Sequence, residues 1–388
     1  MEKNNKNLNV PHLRFPEFSG EWESVRLGDV CKFFSGGTPS STNKDFYGGD
    51  IPFIRSGEIH SSSTELYISE VGLNSSSAKI IEQGDLLLAL YGATSGDIAI
   101  SKIKGAINQA ILCIRTNHDN FFLKSCWEKH CRKLLQTYLQ GGQGNLSADI
   151  VKSIKMSFPS CLEQKKISDL LALIEERIKT QKKIIEKYES LIKGLSNKLL
   201  YASKGTSVRL GDILIERSER TKRNNQHEVL SSTVKGIFSQ REYFSKEIAS
   251  ENNIGYKIIH LHDVVLSPQN LWMGNINYND KYDIGIVSPS YKIFSIAEGY
   301  DKLFVSALLK THRALYNYML VSEQGASVVR RNLNMEAFEQ LVFKMPSIDK
   351  QREVGNTISA LQSRIELAIR VKTAYEKQKQ WLLTEMFI

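Results

Sequence analysis

A chain of 388 residues is too long for one small fold and suits two or three domains. Hydrophobic residues at 41%, aromatics at 9% and only 8 prolines exclude whole-chain disorder and fibrous repeats. Lys and Arg total 51 against 42 acids, a net +9 that favours a polyanionic partner; a single basic tail is excluded, because residues 1–203 carry +4 and residues 204–388 carry +5.

The polar start, MEKNNKNLNV, has no apolar signal-peptide core, and no apolar run approaches the roughly 18 residues that span a bilayer. A cytoplasmic protein without membrane contact is expected. The five cysteines, at 31, 113, 126, 131 and 161, include no CxxC pair and read as reduced thiols.

In chain order, residues 25–159 hold short apolar runs punctuated by Gly, Ser and Asn: IPFIR at 51, DLLLALYG at 85, GAINQAILCIR at 105 and IKMSFP at 154. These predict strands of a mixed α/β domain, with one helix over 122–139 where leucines and aromatics recur at helical spacing. After Pro159 the pattern becomes one long helix. Ile167, Leu171, Ile174, Ile178, Gln181, Ile185, Tyr188, Ile192, Leu195 and Leu199 alternate steps of four and three, a coiled-coil seam.

The chain then repeats itself. Val25-Arg26-Leu27-Gly28-Asp29-Val30 recurs as Val208-Arg209-Leu210-Gly211-Asp212-Ile213, and Pro159, Gln164 and Tyr188 match Pro346, Gln351 and Tyr375 at a constant offset of 187. The central stretches match poorly; EQGDLLLAL at 82 faces HLHDVVLSP at 260. The second seam reads Val354, Ile358, Leu361, Ile365, Ala368, Lys372, Tyr375, Lys379, Leu382 and Met386. Its two lysines predict a helix that splays there or touches another protein, whereas charges such as Glu175, Glu176 and Lys179 read as solvated faces. The division expected is domain 1–160 with an arm over 1–24, helix 161–203, domain 204–346 and helix 347–388. At about 1.5 Å per residue the first helix would be a rod of roughly 55 Å, and an antiparallel pair would relate the two domains by a pseudo-twofold axis.

Enzyme signatures are missing: no GxxxxGK[ST], no GxGxxG after a strand, no adjacent prolines of an Asn-Pro-Pro-aromatic motif and no GxSxG. Asp149 followed by Glu163-Gln164-Lys165 has a nuclease-like look, but the acid stands at a helix start, where it favours the dipole, and Lys350 replaces it in the second half. Cys126 and His130 share a helix face while Cys131 points elsewhere, so no metal set is assigned. No catalytic residue and no cofactor is therefore assigned to this chain.

What remains are polar loops suited to nucleic acid. The stretch 33–50 combines glycines that allow close backbone approach with Ser35, Thr38, Ser40, Lys44 and Tyr47; Arg55 and Ser56 follow a strand, as do Tyr91, Thr94 and Ser95, and Gln143 and Asn145 precede the last strand. In the second half the comparable positions are Arg217, Arg220, Lys222 and Arg223, then Gln269, Asn270, Trp272 and Asn275, then Arg330, Arg331 and Asn332. Arginine suits guanine, Asn and Gln suit adenine, and hydroxyls suit phosphates.

PHLRFPEFSGEWESVRLGDV, GGTPSSTNKDFYGGDIPFIRSGEI, the QGGQGNLS loop leading to KMSFPSCLEQKKI, and the twofold order of domain then long helix together resemble the specificity subunit of type I restriction-modification systems. The resemblance covers essentially the whole chain, although the second half lacks the GGTP stretch and a clear GxxGxN loop. It implies two target-recognition domains, each reading one half of a bipartite double-stranded DNA target, and two helices in an antiparallel coiled coil that docks two methyltransferase subunits and sets the gap. It also implies two restriction subunits, with S-adenosylmethionine, ATP and Mg2+ belonging to the partners and the adenine methyltransferase and ATP-dependent endonuclease activities belonging to the complex. The alternative is a stand-alone DNA-binding protein or coiled-coil scaffold, which DNA binding and its salt dependence would separate.

Overall fold

The computed structural model describes residues 9–138, 146–201, 205–243, 252–324 and 331–388. They form two compact units, Met1–Gln181 with Val371–Ile388, and Lys182–Arg370. The long helices, Cys161–Tyr201 and Ile348–Glu385, are thus shared between units rather than standing as separate segments.

The first unit opens with strand Glu23–Arg26, paired antiparallel with Lys155–Phe158 so that Val25 faces Met156. Leu27 N donates to Ile154 O (2.9 Å), and the Leu27 side chain is fully buried. Two sheets follow. One is antiparallel, in the order Cys31–Ser35, Ile111–Thr116, Leu86–Ala89, Ile98–Ile100; the other is mixed, in the order Leu66–Ile68, Tyr47–Ile54, Gly105–Ile107, Lys79–Ile81, with Phe53 and Ile54 parallel to Ala106 and Ile107.

The apolar run 86–89 is continuous because the strand is buried on both faces. Leu86 and Leu88 enter one core, while Leu87 and Ala89 enter another. GAINQAILCIR is two strands, Gly105–Ile107 and Ile111–Thr116, not one, because a turn at Asn108, whose Oδ1 accepts from Ala110 N (3.1 Å), moves the chain from one sheet to the other. The expected helix runs Asn120–Tyr138 and buries Phe122, Leu123, Cys126 and Trp127 in the larger core. That core also takes Ile167, Leu171 and Ile174 of the first long helix and Leu382, Leu383, Met386 and Phe387 of the second.

In the second unit Thr206–Arg209 pairs with Val342–Met345, Val208 facing Phe343, and Leu210 N donates to Leu341 O (2.7 Å). Its four-stranded antiparallel sheet runs Leu214–Arg217, Lys292–Ile296, Val264–Leu266, Ile276–Tyr278. Two-stranded pairs, Leu230–Thr233 with Gly236–Ser239 and Lys257–His260 with Ile284–Val287, stand where the first unit has its mixed sheet. Helices Lys302–Leu309 and His312–Leu320 cover the core, which Val354 and Ile358 of the second long helix complete.

The seam follows the expected period. Ile167, Leu171, Ile174, Val354, Ile358 and Ala368 are buried, and Ile178, Ile185, Tyr188, Leu361, Ile365 and Tyr375 are half-buried. Within the first unit the facing residues run in opposite chain order: Arg177 Nη1 donates to Tyr375 OH (3.0 Å), and Lys379 Nζ donates to Glu175 Oε1 (2.6 Å). Among the described residues no helix is long and apolar enough to cross a membrane.

Candidate nucleic-acid interface

The repeated sextet has a packing reason. A Cβ on Gly28 would lie 3.1 Å from Lys152 O, and one on Gly211 would lie 3.1 Å from the Glu339 side chain, so each glycine lets the turn after the opening strand press against the helix before the closing strand. Each domain thereby closes on itself, and the loops between are presented by a constant frame.

In the first unit several candidate side chains are engaged by the protein itself. Thr38 Oγ1 donates to Gln109 Oε1 (2.7 Å), Ser40 and Thr42 hydroxyls meet at 2.8 Å, and Tyr47 OH donates to Pro39 O (2.7 Å), closing the loop onto its own base. Ser35 ends a strand, half-buried, and Lys44 is exposed in the turn Lys44–Phe46 that Asn43 caps. Arg55 is not free. Its guanidinium bridges Glu58 (3.0 Å) and Glu65 (2.5 Å), and Glu58 also caps the turn that begins at Ser56. Tyr91, 39% exposed, starts the turn Gly92–Thr94, and Ser95 Oγ donates to Leu90 O (3.0 Å). Gln143 and Asn145 lie outside the described residues.

Three of the four glycines of 33–50 press against the fold itself. A Cβ on Gly36 would lie 1.7 Å from Ile107 O, on Gly37 2.7 Å from Ser77 Oγ, and on Gly49 2.6 Å from Ile68 O; the close approach is to the protein's own backbone and side chains.

In the second unit Arg217 donates to Asp263 (3.1 Å) and Glu219 (3.4 Å), and Arg220 Nη1 donates to Gly255 O (2.9 Å). Both arginines therefore tie strands and turns together. Lys222 and Arg223 stay exposed on the turn beyond. Asn275 points inward: it is 4% exposed, its Oδ1 accepts from Ser232 Oγ (2.8 Å) and its Nδ2 donates to Ser232 O (3.0 Å), so it is removed from the surface by a polar core. Gln269, Asn270, Trp272 and Arg331 do come together, since Arg331 N donates to Gln269 O (3.2 Å) and the Arg331 guanidinium lies 4.6 Å from the Trp272 ring centroid. Asn332 is exposed beside them, opposite Glu323, and Arg330 lies outside the described residues.

Two expectations about charge change. Lys379 neither splays its helix nor stands free: it pairs with Glu175 (2.6 Å) and Glu128 (2.7 Å), and Lys124, 8% exposed, pairs with the same Glu175 (2.6 Å). Burial pushes the Glu175 carboxyl up, but Lys124 and Lys379 outweigh it and hold it below the ordinary carboxylate range. Glu175 is thus no solvated face. Lys372 pairs along its own helix with Glu376 (3.3 Å). Glu163, in the first turn of its helix as expected, is buried against Arg14 of the N-terminal arm (2.7 Å), while its counterpart Lys350 pairs with Glu353 (2.7 Å). Cys126 is buried, which pushes its thiol far up, and Cys131 Sγ donates to Gly96 O (3.3 Å). The charge cluster was visible in sequence only as one lysine, Lys379, in an apolar seam.

Residues 19–190 match the family described as the type I restriction modification DNA specificity domain. The match covers less than half of the chain. The chain is also similar to the type I restriction enzyme MjaIX specificity subunit of Methanocaldococcus jannaschii, 28% identical over 181 residues, 43% of this chain and 41% of that protein. The HindI specificity subunit of Haemophilus influenzae is 30% identical over 148 residues, 36% of this chain and 32% of that protein. The aligned part therefore spans less than half the length of these curated relatives. Across the whole chain the fold is similar to the crystal structure of a type I restriction-modification system S subunit from M. genitalium, with a TM-score of 0.65 at 13% identity over 98% of this chain and 99% of that one. The matched residues contain the first unit's sheets, its opening and closing strands and most of the first long helix.

Proposed function

We propose that the chain is the non-catalytic specificity subunit of a type I restriction-modification complex, in which each unit reads one half of a bipartite DNA target. The observation that carries this reading is that the second unit uses the same closing strand pair, the same glycine packing and the same seam as the specificity domain, while its loops differ. One frame with two loop sets suits two different half-sites. On this reading the long helices form an antiparallel coiled coil that relates the units by a pseudo-twofold axis, matching the symmetry of a duplex. They dock two modification subunits and set the gap, and two restriction subunits join the complex. S-adenosylmethionine, ATP and Mg2+ are used by those subunits, and the whole works on DNA in the cytoplasm.

The test is methylation mapping. The purified chain should neither methylate nor cleave DNA, and co-expression with its modification subunit should create adenine methylation at one bipartite site. Turnover by the isolated chain, or no site-specific methylation with the partner present, would sink the proposal.

A further inference from the structure

We infer that Arg331 reads a guanine in the half-site of the second unit and that Trp272 is its positioning residue; this rests on the specificity-subunit reading above. The Arg331 backbone is anchored twice. Its strand, Arg331–Leu333, pairs with Ser322–Gln324, and its N–H donates to Gln269 O (3.2 Å) of a neighbouring loop. That loop carries Trp272 in the single turn Leu271–Met273, whose Leu271 is fully buried and whose end is Gly274 at φ +92°, a left-handed conformation suited to glycine. Lys310 Nζ donates to Gly274 O (2.9 Å) and ties the turn to the helices behind it.

The guanidinium lies 4.6 Å from the centre of the Trp272 ring, so its plane is held from one side. Its Nε is buried without an acceptor, and among the described residues no carboxylate takes up its terminal nitrogens. This sets it apart from Arg217 and Arg220, whose donors Asp263, Glu219 and Gly255 O consume. The two terminal nitrogens, a planar pair of N–H donors that no described carboxylate takes up, fit the O6 and N7 acceptors of guanine, which accept two parallel bonds.

The experiment co-expresses the full chain with its modification subunit and maps methylated sites for the native protein, Arg331→Ala, Arg331→Lys and Trp272→Leu. The native protein should recognise a guanine in the second half-site. Arg331→Ala and Arg331→Lys should both weaken the preference for that guanine by five- to about 150-fold, the lysine keeping charge but losing the fork, with the first half-site unchanged. Trp272→Leu should weaken it less. A second half-site without guanine, a guanine still required in Arg331→Lys, or equal loss of both half-sites would overturn the assignment. So would a uniform loss of binding with the base preference intact, which is the signature of a phosphate contact. Absence of bipartite methylation by the native chain would instead overturn the underlying reading.

Discussion

Gln164 and Gln351 occupy matched places in the two units and do the same work. Each Nε2 donates to the proline carbonyl five residues earlier (2.8 Å to Pro159 and to Pro346), and each Oε1 accepts the N–H of an aspartate, Asp119 (3.1 Å) or Asp301 (3.0 Å). Those aspartates in turn cap the helices that bury Phe122 and Phe304, each at 2.8 Å. The interior differs. Beside its apolar cluster of Leu230, Ile237, Ile259 and Val265 the second unit buries a hydrogen-bonded network of Ser232, Asn275 and Asn277, whereas the smaller core of the first packs Ile54, Ile81, Ile107 and Cys113. The contrast teaches that the joint between helix and domain is held by a repeated polar lock, while each domain's loops rest on a support of their own chemistry.

The largest test of that contrast exchanges residues 25–159 for the same domain of a relative. One half-site should be replaced completely and the other kept; mapping that finds both altered would show that the frames are not independent. Next in size is Gly36→Ala, which sets a methyl group against Ile107 O and should cost the first unit about 3 kcal/mol in thermal unfolding. The matched Gly28→Ala and Gly211→Ala, with 3.1 Å of room, should each cost clearly less.

Gln164→Leu and Gln351→Leu should each destabilise by about 2 kcal/mol, because a buried N–H and a buried carbonyl lose their partners. Gln164 also donates to His118 (3.1 Å), so its change should be the larger, and equal or negligible costs in denaturant unfolding would dissolve the comparison.

The smallest expected effect separates the units by pH. Glu175→Gln should cost about 1 kcal/mol at pH 7, since the group is partly exposed and Lys124 and Lys379 keep Glu128 as a partner. The Glu175 carboxyl titrates below its ordinary value of 4.5 in the folded chain, so its stabilisation is full above about pH 4.5 and fades as pH falls through the lowered value. The gap between native and variant stability should therefore close on acidification; a gap independent of pH would mean that the cluster acts by packing alone.

Periodicity sufficed for several strands of the first half, the two long helices and the spacing of the seam, because the recurrence of apolar side chains is a local property written along the chain. The sites were legible only as loops. Sequence could not say that Arg217 spends its donors on Asp263 while Arg331 lies over Trp272 with no carboxylate among the described residues, since each fact depends on residues from distant segments meeting in space. The same holds for Glu175 and Lys379, 204 positions apart, which look like surface charges until two helices bring them to 2.6 Å. A side chain's type limits the bonds it can make; tertiary structure decides which bonds are already made, and so which groups are left to meet a ligand.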